Sequence, residues 1–250
     1  MTFLRRMLTV ATVFGSLLLA GVQPALAQKG AQPAGPLPQP TRWGALLVSG
    51  DGSIPAFDNM VQGLARRLNS PAFPHGNIVT VTARSQSAAP ATVAGIAQAA
   101  GQLRLAPTDG CMVFLTAHGS PQGLGIAQRG EVLSPRMLDR IVDSACGQRA
   151  TVVIVSACFS GIFAGREMAR PNRVILTAAR PDRTSFGCSA DNILTVFDGC
   201  FLQSVRPGTA WRDVAAASRS CVAAEERRLG VLASEPQFTV GPSVDRLVAP

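Results

Sequence analysis

The 250-residue chain contains no tyrosine, two tryptophans and two histidines, and Lys29 is its only lysine. So few aromatic rings exclude a stacking platform for single-stranded nucleic acid. Its six cysteines include no Cys-x-x-Cys pair, and only one histidine lies near a cysteine-bearing strand end, so neither a zinc site nor a cofactor is expected. Six is also too few to replace a hydrophobic core in a chain of this length. With 47% apolar and 15% charged residues, a disordered tail, a collagen repeat and a heptad rod are excluded. No Gly-x-Ser-x-Gly elbow follows a strand, which leaves a serine hydrolase without support. Stable membrane insertion is not expected either, because no apolar run reaches the ~20 residues of a spanning helix. What remains is one domain long enough to bury roughly 70% of its unfolded surface.

Arg5 and Arg6 precede an uncharged run of 13 residues, 8–20, and small residues Ala25 and Ala27 follow. This pattern predicts a secretory signal peptide over 1–27, cleaved before Gln28. The expected product is exported, periplasmic or extracellular. Removing the segment takes two arginines and leaves 21 basic against 15 acidic residues. The basic residues are scattered, with doublets at Arg66-Arg67 and Arg227-Arg228, rather than gathered into a nucleic-acid strip. Residues 28–42, with four prolines and two glycines, read as a flexible lead-in. Residues 43–250 read as a single domain.

Five short apolar runs, rich in β-branched residues, fit strands buried on both faces: 43–49, 77–82, 111–116, 151–156 and 173–178. Helical spacing appears at 57–68, 91–105, 135–145, 192–204 and 210–228, with Ser134 and Pro135 forming a strong helix start. The alternation predicts an α/β three-layer sandwich with a mostly parallel central sheet. The tail, 236–250, is expected to run extended over the body.

Parallel sheets bind ligands beyond the carboxyl ends of their strands. His118 follows the third strand by two residues in Thr116-Ala117-His118-Gly119-Ser120. Cys158 follows the fourth by two in Val155-Ser156-Ala157-Cys158-Phe159-Ser160-Gly161. Neighbouring strands lie ~4.8 Å apart, so an imidazole and a thiol share one rim. That pair suits nucleophilic acyl transfer, with an amide stabilising the oxyanion. Gly119 permits close approach of a main-chain amide. His75 precedes a strand and is expected in an exposed turn at the opposite edge.

These two strand-end motifs, in this order and about 40 residues apart, resemble the legumain-type cysteine peptidases of the caspase–haemoglobinase fold, shared with caspases and gingipains. The segment Thr177-Ala178-Ala179-Arg180-Pro181-Asp182-Arg183-Thr184-Ser185-Phe186-Gly187-Cys188 is similar to that of bacterial secreted members. The resemblance implies peptide or protein substrates, Cys158 as nucleophile, His118 as general acid/base, and the amides of Gly119 and Cys158 as oxyanion donors. It also implies a histidine-orienting residue near the start of the first helix, at Asp58 or Asn59, either of which could equally be the helix N-cap. The family's arginine for asparagine selection has no counterpart, since Met60 or Val61 occupies its place. Substrate-binding candidates are Asp51, Arg180, Asp182 and Ser185, with Arg183 beside them. Two alternatives keep the fold: a transpeptidase or protein ligase using the same dyad, and a catalytically silent envelope-binding module.

Of the remaining cysteines, Cys111 and Cys146 both fall at the edge opposite the dyad and form the first candidate disulfide. Cys188, Cys200 and Cys221 supply one more, leaving an odd thiol. Connectivity within that trio, and the oligomeric state, are open at this level.

Overall fold

The computed structural model describes residues 35–84, 87–126 and 130–250. The expected signal peptide and residues 28–34 of the lead-in lie outside them. A six-stranded sheet has the order β2-β1-β3-β7-β8-β9. β1 (Trp43–Ser49), β2 (His75–Val81), β3 (Gly110–Thr116), β7 (Thr151–Ser156) and β8 (Arg173–Thr177) are mutually parallel, and β9 (Gln237–Val240) closes one edge antiparallel. β1, β3, β7 and β8 are buried along their whole length, as expected for strands covered on both faces.

One face of the sheet packs on α1 (Pro55–Leu68), α4 (Val196–Ser204) and α5 (Trp211–Leu229) through Met60, Leu64, Phe197, Phe201, Trp211 and Val214. The other packs on α2 (Val93–Ala100) and α3 (Pro135–Cys146) through Ile96, Ala99, Leu138 and Val142. Side chains of each strand alternate between these two cores: Leu47, Phe114 and Ile154 face one, and Val48, Val113 and Val153 the other. This is the three-layer sandwich that the alternating pattern predicts.

Several boundaries shift for local reasons. α2 is shorter than 91–105 because Thr92 caps its start, accepting from the Gly95 amide at 3.0 Å, and the chain leaves the helix at Gly101. α4 starts at Val196 rather than 192 because Asn192 is spent closing the preceding loop, its amide donating to the Gly187 carbonyl at 3.0 Å. Ser134 caps α3 as expected. His75 is exposed and opens β2, paired with Trp43 at the amino end of the sheet.

Three short strands escape the sequence pattern: β4 (Gly119–Ser120), β5 (Gly123–Ile126) and β6 (Glu131–Leu133) form a small antiparallel sheet beyond β3. The tail is also more structured than an extended strap, forming β9 and a single 3-10 turn at Pro242–Val244. Residues 37–41 are anchored: the Leu37 amide donates to Ser243 and the Thr41 amide to Thr108, while Gln39 binds Arg246 and Val248.

A disulfide joins Cys111 on β3 to Cys146 at the end of α3, and a second joins Cys200 on α4 to Cys221 on α5. Arg173, buried on β8, forms ion pairs with Asp139 and Asp143 of α3, and Arg170 joins the same cluster.

Candidate active site

β3 and β7 run side by side in register, Thr116 opposite Ser156. The Ala117 amide extends the ladder by donating to the Ser156 carbonyl at 3.2 Å. His118 and Cys158 therefore leave the sheet at matching positions on one rim. The two loops touch at Gly119, where a Cβ would overlap the Cys158 carbonyl oxygen and crowd the Ala157 side chain. Only glycine permits that approach. Beyond Cys158 the backbone reverses at Phe159, a non-glycine residue held at φ 57°, a conformation maintained only where surrounding contacts impose it. Those contacts are present. The Phe159 amide donates to the Arg183 carbonyl at 2.7 Å, and the Ser160 hydroxyl accepts from the Ala179 amide at 3.1 Å.

The thiol is half-buried and meets the loop after β8. The Ser185 amide donates to Cys158 Sγ at 3.3 Å, and the thiol faces the Ser185 carbonyl at 3.5 Å. Ser185 thus holds the sulfur through its backbone. Along the rim the order is His118 from β3, Cys158 from β7, and Ser185 from the loop after β8.

The imidazole is exposed, with Nε2 3.3 Å from the Ser53 hydroxyl and its ring edge-on to Phe57 at 5.3 Å between centroids. Sequence reasoning missed both neighbours. Ser53 lies in Gly50-Asp51-Gly52-Ser53, which leaves β1 at the same rim, and Phe57 lies in the first turn of α1. The Asp58 carboxylate accepts from Ser49 Oγ at 2.5 Å and from the Ala83 and Arg84 amides at 3.2 and 3.0 Å, tying β1 to the end of β2. Asn59 donates to the Ile193 carbonyl at 3.1 Å. Neither caps α1, whose N-cap is Ile54 ahead of Pro55.

The charged substrate-binding candidates divide. Asp51 is buried, accepts from the Ser53 amide at 2.6 Å, and lines a small pocket of about 280 Å³ beside His118 and Gly119. Arg180 and Asp182 bind each other at 2.7 Å, and Glu235 pairs with Arg180 and Arg183. The hydrogen bond from Arg180 holds the Asp182 carboxyl below the usual range. These charges are paired with one another at the surface.

Beneath the rim lies Asp198, fully buried on α4. Its Oδ2 accepts from the Thr116 hydroxyl at 3.2 Å, and the hydroxyls of Ser156 and Thr195 also favour its charged form. Oδ1 has no hydrogen-bond partner, and burial pushes the carboxyl up to about 7. Cys188, the other free thiol, packs on Ile54, Ala56 and Phe57. Burial, with smaller contributions from Cys158 and Asp198, pushes it up to about 12. Its thiolate form is thereby suppressed, in contrast to the requirement for a nucleophile.

The fold defines a class, the caspase-like α/β proteins. Caspase-1 from Spodoptera frugiperda superimposes with a TM-score of 0.57 over 81% of this chain and 88% of that one, at 14% sequence identity. No curated protein matches the chain by sequence. Residues 92–214, which contain His118, Cys158 and Asp198, match the model of the Peptidase C13 family. The chain is accordingly a legumain-like peptidase of the caspase–haemoglobinase fold.

Proposed function

We propose that the protein is an exported cysteine endopeptidase that cleaves peptide bonds through an acyl-enzyme on Cys158. His118 protonates the leaving amine and then activates the water that releases the acid. The observation that carries this reading is the paired departure of His118 and Cys158 from in-register strands, with Gly119 packed against the Cys158 carbonyl. The Cys158 thiolate adds to the substrate carbonyl. The amides of Gly119 and Cys158 are the candidate donors to the resulting oxyanion. The Phe159 amide is committed to Arg183 and is not one of them. Ser53 and Phe57 are neighbours that can orient the imidazole: the hydroxyl meets Nε2 and the phenyl ring packs edge-on against it.

Export accords with the charged and apolar start of the sequence and with two disulfides, which persist in oxidising compartments. The test compares wild type and Cys158→Ala on a diverse peptide library and with a thiol-directed peptidyl electrophile. Cleavage and labelling both vanish in the variant while its circular dichroism is unchanged. Undiminished cleavage by Cys158→Ala refutes the assignment.

A further inference from the structure

We propose that the groove beginning at Ser185 binds an apolar side chain of the substrate on the acyl side of the scissile bond. This inference rests on the peptidase reading above and adds the class of substrate. The rim sets the direction. The leaving amine must face the imidazole that protonates it, so the departing half of the peptide lies toward β3. The acyl half then extends the other way, past Cys158 and over the loop after β8. Ser185, whose amide and carbonyl both meet Cys158 Sγ, is the first wall of a groove of about 680 Å³ between that loop, α4 and α5.

The walls and lip of the groove point to an apolar occupant. Leu194, Val196 and the Cys200–Cys221 disulfide line it. Among the described residues five large apolar side chains are exposed; one of them, Leu229, 46% exposed, lines this groove, and two more, Ile193 and Leu232, 77% and 74% exposed, are chain neighbours of the lining residues Asn192, Leu194 and Val231. An apolar side chain left in water beside an open groove gains burial only when something fills the groove. Ile193 is held there by its backbone, through the Asn59 hydrogen bond. Some of the charges nearby are paired: Arg228 with Glu225 at 2.8 Å inside the groove, and Arg180 and Arg183 with Glu235 beyond it. Continuity with the thiol argues for an extended peptide rather than a second copy of the chain, which would cover the nucleophile.

The probes are fluorogenic peptides with an aminocoumarin leaving group, in which each of the three residues before the one attacked is varied in turn among Leu, Asp, Lys and Ser. At one of those positions Leu raises kcat/KM by roughly tenfold or more over Asp or Lys, the scale of discrimination an apolar pocket provides. The double variant Ile193→Ser, Leu232→Ser brings the ratio close to one, and circular dichroism verifies its fold. Equal rates for Leu and Asp at every position, or a full preference retained by the double variant, overturn the proposal. Fluorescence polarisation separates the two readings: Leu-containing fluorescein-labelled peptides bind Cys158→Ala more tightly than Asp-containing ones, and adding the two serine substitutions removes the difference. If wild type cleaves nothing yet this binding preference holds, the groove stands and the catalytic reading falls. If the preference is absent there too, or the Leu peptides bind only by bringing two copies of the chain together, the groove assignment falls.

Discussion

At Asp198 the fold places an ionisable group between the two strand ends that carry the dyad, with a fully buried carboxyl and one oxygen unpartnered. Charging it there costs free energy because water is absent. Raised to about 7 from an ordinary value of 3.8, the folded state binds more protons than the unfolded state between those limits. Its contribution to stability is therefore full below about pH 4, is lost as pH rises through about 7, and stays lost above. Thr116, Ser156 and Thr195 around it do not titrate in this range, and Cys188 is pushed up to about 12. Asp198→Asn keeps an acceptor for Thr116 without an ionising group. Thermal melts of both proteins from pH 5 to 8 should show wild type losing stability relative to the variant as pH rises. A difference that is flat across this interval would remove Asp198 from the account.

At the scale of elements, the parallel strands were legible because each is a short apolar run with no polar face, and the dyad because position relative to a strand end survives errors of one or two residues. His118 and Cys158 needed only that. The orienting neighbours were not legible, since Ser53 reaches His118 from the loop after β1, across a contact that no local spacing encodes. The β4–β6 sheet escaped because its strands are two to four residues long and rich in glycine. The pairing of Arg173 escaped differently: it opens a run reading Arg-Val-Ile-Leu-Thr that was expected to be buried, and only 1% of its side chain is accessible, but nothing local points to Asp139 and Asp143 on α3, which pair with it. α3 is thus docked on β8 by charge as well as by Leu138 and Val142. Removing one partner of a buried pair leaves the other uncompensated. Arg173→Ala should cost about 3 kcal/mol, less to the extent that Asp143 stays wet, at 49% exposure. Arg173→Met, which refills the volume without charge, should cost less when combined with Asp139→Asn than alone. Urea unfolding of the single and double variants reads this coupling, and strict additivity would show that the cluster contributes no docking energy.

Across the whole molecule, each helical layer is stapled once: β3 to α3 by Cys111–Cys146 on one face, and α4 to α5 by Cys200–Cys221 on the other. Cys158, the proposed nucleophile, must stay reduced between them. Burial separates Cys158 from the first staple, since Cys111 and Cys146 are inaccessible whereas Cys158 is half-buried at the rim; in the second staple Cys200 is 2% exposed and Cys221 is half-buried. Thiol exchange needs a thiolate to reach the sulfur, so a mild reductant should maintain Cys158 while leaving the Cys111–Cys146 staple closed in the native state. The bridges span sequence separations of 35 and 21, and the chain-entropy model assigns each about 3–4 kcal/mol. For a domain of this size a change of that magnitude lowers Tm by roughly 10 °C. Cys111→Ala with Cys146→Ala should therefore melt roughly 10 °C below wild type yet label at Cys158 at the wild-type rate at low temperature, because the bridge lies at the end of the sheet opposite the thiol. Calorimetry and electrophile labelling measure the two properties separately. Loss of labelling in a protein that is still folded would mean that the staple also sets the geometry of the rim, through β3 and His118, and that stability and chemistry in this fold are not carried by opposite ends of the sheet.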